Sequence, residues 1–167
     1  GATVTSSGMA ALHLAYWQLG IGPGDEVIVT SQTHVATAHA VEVVGATPVF
    51  VDCLEGDGNI DPVQIEASVT DRTRAIGLVH FIGIPCDMEP IMEIAQKFKL
   101  LVIEDCALAL GAKYRGVHVG LIGDAGRRGP RRVREEEHGE CAGVVLAPQV
   151  PARRGERVGV QRGGDDD

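Results

Sequence analysis

Closely spaced cysteines are missing from this sequence. The four cysteines stand at positions 53, 86, 106 and 141, and no two of them form a C-x-x-C pair. Zinc sites and dense disulfide frameworks need short, regular cysteine spacings. We therefore expect no metal site and no disulfide framework, and we expect a protein of the reducing cytoplasm.

Long apolar runs and a charged leader are also missing. No run approaches the roughly 18 apolar residues that span a bilayer, so we expect no membrane association. The first residues, GATVTSSG, carry no positive charge and do not fit a secretory signal. The chain begins without Met on a strand-like segment, and we expect further sequence upstream of it.

Charge is distributed unevenly along the 167 residues. The net charge is −8 and 44% of residues are apolar, a composition that excludes an acidic disordered tail and argues against nucleic-acid binding. Residues 1–126 contain every lysine and every aromatic residue, whereas residues 127–167 are rich in Arg, Gly and Glu. We predict a folded part, 1–126, and a poorly ordered tail, 127–167, with one short strand at 144–146.

Short apolar, β-branched runs alternate with segments of helical spacing. Strands are predicted at 26–30, 47–52, 74–81 and 100–105, helices at 9–19, 33–44, 61–69 and 87–98, and a hairpin at 113–120. Ser6 or Ser7, Asp61 and Asp87 are expected to cap helices. This alternation is typical of an α/β fold with a mostly parallel sheet flanked by helices.

Acidic residues that close strands are the first candidates for a site, because ligands bind at the carboxyl ends of parallel strands. Asp52 and Asp105 occupy such positions. Asp105 follows the most apolar strand, where a carboxylate needs a cationic or hydrogen-bonding partner, such as the protonated ring nitrogen of a cofactor. The alternative for Asp105 is a carboxylate that caps the next turn.

Two further candidates lie earlier in the chain. The Ser6-Ser7-Gly8-Met9 turn opens a helix, whose free N–H groups can bind a phosphate or simply be capped. His34 follows a strand and could stack on a ring, ligate a metal or act as a base. A metal pair with His39, five residues further on, is not expected.

Six segments occur in a fixed order: SSGMAALHLA, IGPGDEVIVTSQTHVATAHAVEVVGATPVFVD, NIDPVQIEASVTDRTRAI, VHFIGIPCDMEPIMEIAQKF, LLVIEDCALALGAKYRGVHVG and GDAG. Together they cover almost all of residues 2–126 and resemble the DegT/DnrJ/StrS sugar aminotransferases, most closely the perosamine-synthase branch. The resemblance implies part of the large domain of the aspartate aminotransferase fold. It also implies pyridoxal 5'-phosphate as cofactor, transfer of an amino group from glutamate to a nucleotide-linked keto-sugar in polysaccharide biosynthesis, and a homodimer.

The resemblance also implies roles for individual residues. Gly8, Met9 and Ala10 match the turn that holds the cofactor phosphate, with Met9 in place of a usual Thr. His34 matches the position whose ring stacks on the pyridine. Asp105 matches the acid that pairs with the pyridinium nitrogen and keeps it protonated. Leu108 stands where many members have Gln or His near the cofactor phenolic oxygen.

The sequence departs from the family after Gly126. Members continue into S-F-x-x-x-K, whose Ser binds phosphate and whose Lys forms the Schiff base; without a gap these positions are Gly129 and Arg134 here. Arginine has no free amine at any physiological pH and cannot form an imine. A related dehydratase branch uses His instead, but the only downstream His, His138, is four residues out of register.

The lack of this lysine leaves two interpretations of the function. The chain is an aminotransferase by descent that is inactive as it stands, or it is a non-catalytic fragment or pseudogene product that at most binds a phosphate ligand without a covalent bond. The Arg- and Gly-rich tail has the composition that a shifted reading frame of GC-rich coding sequence produces. We therefore expect the chain to lack the start and the C-terminal domain of such an enzyme.

Overall fold

A central sheet with helices on both faces makes up the part of the chain that the structure describes. The computed structural model describes residues 2–128 and 144–146. Its helices are α1 (Gly8–Gln18), α2 (Val35–Val43), α3 (Pro62–Ala67) and α4 (Met88–Phe98). Its strands are β1 (Ala2–Val4), β2 (Glu26–Thr30), β3 (Thr47–Val51), β4 (Thr73–Val79), β5 (Leu101–Cys106), β6 (Lys113–Tyr114), β7 (Val117–His118), β8 (Ala125–Arg128) and β9 (Val144–Leu146).

The main sheet has seven strands in the order β1-β9-β8-β5-β4-β2-β3. The five strands from β8 to β3 are parallel, and β9 runs antiparallel between β1 and β8. The predicted α/β class and mostly parallel sheet are therefore confirmed. The predicted short strand at 144–146 is confirmed as β9.

Apolar side chains cover both faces of the sheet. On one face, α1 and α2 pack on alternate residues of β2, β4 and β5, including Val29, Ala75 and Ile103. On the other face, α3 and α4 pack on the intervening residues, including Ile28 and Val102. Strands covered on both faces are apolar almost throughout, which is why the sequence pattern identified them.

The helix starts follow the predicted capping residues with one exception. The side chain of Ser7 accepts a hydrogen bond from the amide of Ala10, and that of Asp61 accepts one from Val63. Asp87 stands at the N-cap of α4 but makes no capping hydrogen bond. Its carboxylate instead accepts a hydrogen bond from the hydroxyl of Tyr114, 2.5 Å away, which ties α4 to the β6–β7 hairpin.

Most predicted element boundaries shift by one or two residues in the structure. The strand expected over 74–81 ends at Val79, and a 3-10 turn, Phe81–Gly83, follows it. The strand β8, which the sequence pattern did not predict, spans Ala125–Arg128, and its backbone pairs with β5 as far as Cys106. The hairpin turn is confirmed: Arg115 and Gly116 both have positive φ, as a two-residue turn of this kind requires.

The expectation that the tail is poorly ordered falls mainly outside the described residues. So do Gly129, Arg134 and His138, the positions compared with the family's serine, lysine and histidine. In the part of the chain that the structure describes, no helix combines the length and apolar character needed to cross a membrane. The three described cysteines, Cys53, Cys86 and Cys106, are free thiols.

Candidate functional site

Three elements meet at the edge of the sheet where the parallel strands end. The helix α1 leads into the start of β2, so its own first residue lies at the opposite, carboxyl edge. The helix α2 begins directly after β2 and starts at the same edge. Since β5 also ends there, the N-termini of both helices and Asp105 are brought to one end of the fold.

Asp105 is held by hydrogen bonds to both of its oxygens on the α1–α2 face. It is 4% exposed. One oxygen, Oδ2, accepts from the hydroxyl of Thr37 in the first turn of α2, at 3.2 Å, and the other, Oδ1, accepts from the amide of Ala107, at 3.0 Å. Thr33 Oγ1 lies 2.9 Å from Thr37 Oγ1. Because the single hydroxyl proton of Thr37 is directed to the carboxylate, Thr33 donates to Thr37.

The first turn of α1 offers two amides to an anion. Ser7 uses its side chain for the amide of Ala10, at 3.1 Å, and its carbonyl for that of Ala11, at 3.0 Å. Within the described residues, the amides of Gly8 and Met9 have no acceptor. Of the three residues predicted for phosphate, Ala10 therefore has its N–H committed to the cap, and Gly8 and Met9 present theirs at the positive end of the helix.

His34 is the N-cap residue of α2, a role that the sequence did not suggest. Its Nδ1 accepts a hydrogen bond from the amide of Ala36, at 3.2 Å, and the residue is exposed. The cap fixes the ring at the carboxyl edge and occupies one of its two nitrogens. Asp52, the other strand-closing acid, accepts hydrogen bonds from the amide of Cys53 and the hydroxyl of Ser31. Asp52 thus serves the local turn.

A buried acid–base pair lies on the opposite face of the sheet, next to Asp105 in sequence. His80 and Glu104 are fully buried, with Nε2 and Oε2 3.0 Å apart. Glu104 also accepts from the amides of Gly120, Ile122 and Gly123 at 2.6–2.8 Å. His80 Nδ1 accepts from the amide of Cys86, so the ring proton is on Nε2 and is donated to Glu104.

The ionisation of Glu104 follows from its contacts. Burial alone would raise the pKa of Glu104, but the hydrogen bond from His80 and those from the Gly123 and Gly120 amides outweigh it and lower the pKa. Burial raises the pKa of the adjacent Cys86 thiol to about 12, which makes it an inert packing residue at neutral pH. The acidic residue in an otherwise apolar strand is the sequence signal that would have pointed to this pair.

His80, Glu104 and Cys106 also place three ligand atoms within 4.8 Å of one another. A metal would have to displace donors that the Glu104 carboxylate already accepts at both oxygens. These bonds connect β4, β5 and the loop before β8, so the geometry indicates a structural role for the cluster.

The lysines lie away from Asp105. The sequence has three, Lys97, Lys99 and Lys113. Lys97 and Lys99 stand at the end of α4, immediately before β5, and therefore at the amino edge of the sheet. Lys97 pairs with Glu66 of α3. Lys113 is an exposed residue of the hairpin strand β6.

Comparison with known sequences assigns the chain to a class of enzymes. The profile of the DegT/DnrJ/EryC1/StrS aminotransferase family matches residues 1–127. The chain therefore belongs to this family.

Two curated relatives show the degree of similarity. A GDP-perosamine synthase of Escherichia coli O157:H7 is 50% identical over 123 residues, which are 74% of this chain and 34% of that protein. A UDP-N-acetyl-3-dehydro-alpha-D-glucosamine 3-aminotransferase of Acidithiobacillus ferrooxidans is 54% identical over 121 residues, 72% of this chain and 33% of that protein. The chain thus spans about a third of the length of these relatives.

Solved structures share the fold over most of the chain. An aminotransferase from Psychrobacter cryohalolentis is 43% identical with a TM-score of 0.78, over 87% of this chain and 37% of that one. A sugar aminotransferase from Streptococcus pneumoniae, solved in its PLP-form, is 27% identical with a TM-score of 0.77, over 90% of this chain and 42% of that one. The similarity confirms the predicted fold and family.

Proposed function

We propose that the chain carries the cofactor-binding part of a pyridoxal-phosphate-dependent aminotransferase, and that residues 1–126 form part of its large domain. The reaction of the whole enzyme would transfer an amino group from an amino acid, glutamate, to a nucleotide-linked keto-sugar in the cytoplasm. The observation that carries the proposal is the buried Asp105 carboxylate, fixed by Thr37 at the edge where α1 presents two unpaired amides.

The donor set fits two parts of the cofactor. The amides of Gly8 and Met9 suit a phosphate, because they are N–H donors at the positive end of a helix. Asp105 suits the ring nitrogen, since a carboxylate stabilises its protonated form. His34 stands at the same edge, where its ring, which caps α2, can lie beside the pyridine. The cofactor, when bound, supplies an electron sink for the loss of a proton from the substrate.

The amine that would hold the cofactor covalently does not fit. Lys97 and Lys99 are at the other edge of the sheet, Lys113 is on the hairpin, and position 134 is an arginine. We therefore propose that this chain binds pyridoxal phosphate without a covalent bond and does not transaminate. The second candidate, a product with no ligand of its own, is favoured by the same arginine and by the tail that contains no lysine.

The two named relatives differ in the nucleotide that their sugar carries, GDP in one and UDP in the other. Both are about equally similar to this chain. We propose a nucleotide-linked sugar as the substrate class and do not extend the assignment to one nucleotide.

Equilibrium dialysis of the full 167-residue chain with pyridoxal phosphate tests the proposal, with pyridoxal and inorganic phosphate as separate probes. We expect reversible binding of pyridoxal phosphate that is weakened at least tenfold in Asp105→Asn, whereas inorganic phosphate binds both proteins equally. After borohydride treatment, mass spectrometry should find no lysine labelled by pyridoxal phosphate beyond the surface labelling that pyridoxal also gives. A stoichiometric adduct on one lysine within residues 1–126, formed with pyridoxal phosphate and not with pyridoxal, would overturn the non-covalent assignment, and no binding by any probe would support the second candidate.

A further inference from the structure

The hydroxyl of Tyr16 is a buried polar group that the proposed site does not use. Tyr16 is 0% exposed, and its hydroxyl is the single buried side-chain group without a hydrogen-bond partner in the described ranges 2–128 and 144–146. A buried hydroxyl without a partner is costly, and phenylalanine would fill the same space without that cost. The presence of tyrosine here therefore calls for a physical explanation.

Room for the hydroxyl is provided by a glycine in the central strand β4. A Cβ atom at Gly77 would lie 2.2 Å from the hydroxyl oxygen of Tyr16 and 3.5 Å from its ring carbon Cζ. Only the hydroxyl of this tyrosine is therefore in conflict with a larger residue at position 77. The Tyr16 oxygen sits directly against the β4 backbone, on the face of the sheet that α1 and α2 cover.

The position of Gly77 places this oxygen near Asp105. Gly77 pairs with Ile103 of β5, and Ile103 packs with Tyr16 in the apolar core between the sheet and the α1–α2 layer. Asp105 is two residues further along β5, on the same face and about 7 Å along the strand. The ionisation of Tyr16 agrees with this placement: burial raises the pKa of the phenol, and the negative charge of Asp105 raises it further.

We propose that Tyr16 is a positioning residue for Asp105, its hydroxyl dipole directed from α1 toward the carboxylate that Thr37 holds from α2. The inference rests on the proposed function, in which an ionised Asp105 pairs with the ring nitrogen of the cofactor. In an apolar interior, the dipole of a hydroxyl directed at a carboxylate restrains the orientation of that carboxylate. The two helices on this face would then orient the carboxylate from two sides.

A double-mutant cycle tests the coupling in the full chain. Tyr16→Phe, Asp105→Asn and the double variant are compared by urea unfolding, with Tyr114→Phe, alone and combined with Asp105→Asn, as the matched control. We expect Tyr16→Phe to raise the unfolding equilibrium constant about fivefold more in the chain that keeps Asp105 than in the Asp105→Asn variant. Equal effects in both backgrounds, or a wild-type chain stabilised by Tyr16→Phe, would refute the proposal.

Ligand binding separates this inference from the proposed function. Tyr16→Phe should weaken pyridoxal phosphate about threefold and leave inorganic phosphate unchanged, because only the ring contact passes through Asp105. Equal weakening of both probes would show a general effect on the fold and overturn the positioning role. If the wild-type chain binds neither probe, the proposed function fails, and the unfolding cycle still decides whether Tyr16 and Asp105 interact.

Discussion

Thr37 Oγ1 donates a hydrogen bond to Asp105 Oδ2 across 3.2 Å, although the two residues are 68 positions apart. The bond joins the first turn of α2 to the end of β5. Because Thr37 uses its hydroxyl proton for Asp105, Thr33 must be the donor in the contact between the two threonine hydroxyls. A hydroxyl chain therefore leads from the edge of the sheet to the buried carboxylate.

Replacing Thr37 with valine tests this arrangement with little change of shape. A hydrogen bond to a charged group contributes about 1.5–3 kcal/mol. We expect Thr37→Val to destabilise the chain by about 2 kcal/mol in urea unfolding and to weaken pyridoxal phosphate by about tenfold in dialysis. Thr33→Val, which removes the outer hydroxyl only, is the control and should have the smaller effect on both. A larger effect of the Thr33 variant would contradict the direction assigned to the chain of hydroxyls.

The lowered pKa of Glu104 predicts how stability depends on pH. A carboxyl group whose pKa is lower in the folded chain than its ordinary value of 4.5 stabilises the fold above pH 4.5. That stabilisation is lost as the pH falls through the folded pKa. Urea unfolding between pH 7 and pH 3 should therefore show a decline in the free energy of unfolding that Glu104→Gln largely removes.

The control for this pH dependence is Glu89→Gln, which changes an exposed acid on α4 that pairs with Arg115. Exposed ion pairs contribute little to stability, so this variant should keep the decline of the wild-type chain. An unchanged decline in Glu104→Gln would show that other acids cause it. At neutral pH, Glu104→Gln turns an amide group toward N–H donors and should destabilise the loop before β8.

Steric conflict at Gly77 predicts a rescue. Gly77→Ala puts a methyl group against the Tyr16 hydroxyl, and overpacking of a well-filled core costs about 1–3 kcal/mol. We expect thermal unfolding to show this loss, and Tyr16→Phe in the same chain to recover most of it because the next ring atom is 3.5 Å away. A double variant as unstable as Gly77→Ala would place the conflict elsewhere, for example at Val29.

The cap of α1 predicts different effects for two neighbouring serines. Ser7→Ala removes the acceptor of the Ala10 amide and should destabilise the chain by about 1 kcal/mol. Ser6→Ala is the matched control, since Ser6 precedes the capping residue and is exposed. Equal effects of the two variants in urea unfolding would contradict the assignment of Ser7 as the N-cap.

Much of the fold was predictable because it depends on local patterns. The strands β2 and β5 are nearly continuous apolar runs, and Asp61 followed by Pro62 marks the start of α3 by a rule that involves adjacent residues only. The position of Asp105 at a strand end was also sufficient to place it at the carboxyl edge. These features need no knowledge of which elements pack together.

The remaining features depend on contacts between distant segments. His80 and Glu104 are 24 residues apart, and nothing in either segment shows that their side chains meet. The fit of Tyr16 against Gly77 likewise requires the packing of α1 on β4 to be known. Local capping rules could have predicted the hydrogen bond from the Ala10 amide to the Ser7 side chain, but the same turn also matched a phosphate site. The roles of Gly8, Met9, Ala10, His34 and Asp105 toward the cofactor remain predictions.

Two consecutive carboxylates in β5 couple the contacts on one face of the sheet to those on the other. Neighbouring residues of a strand point to opposite faces, so Glu104 faces the α3–α4 layer while Asp105 faces the α1–α2 layer. Twisting β5 about its axis would displace both side chains together, in opposite directions. Four hydrogen bonds on Glu104 resist that twist. The orientation of Asp105 is therefore restrained through a single peptide unit by contacts on the far side of the sheet.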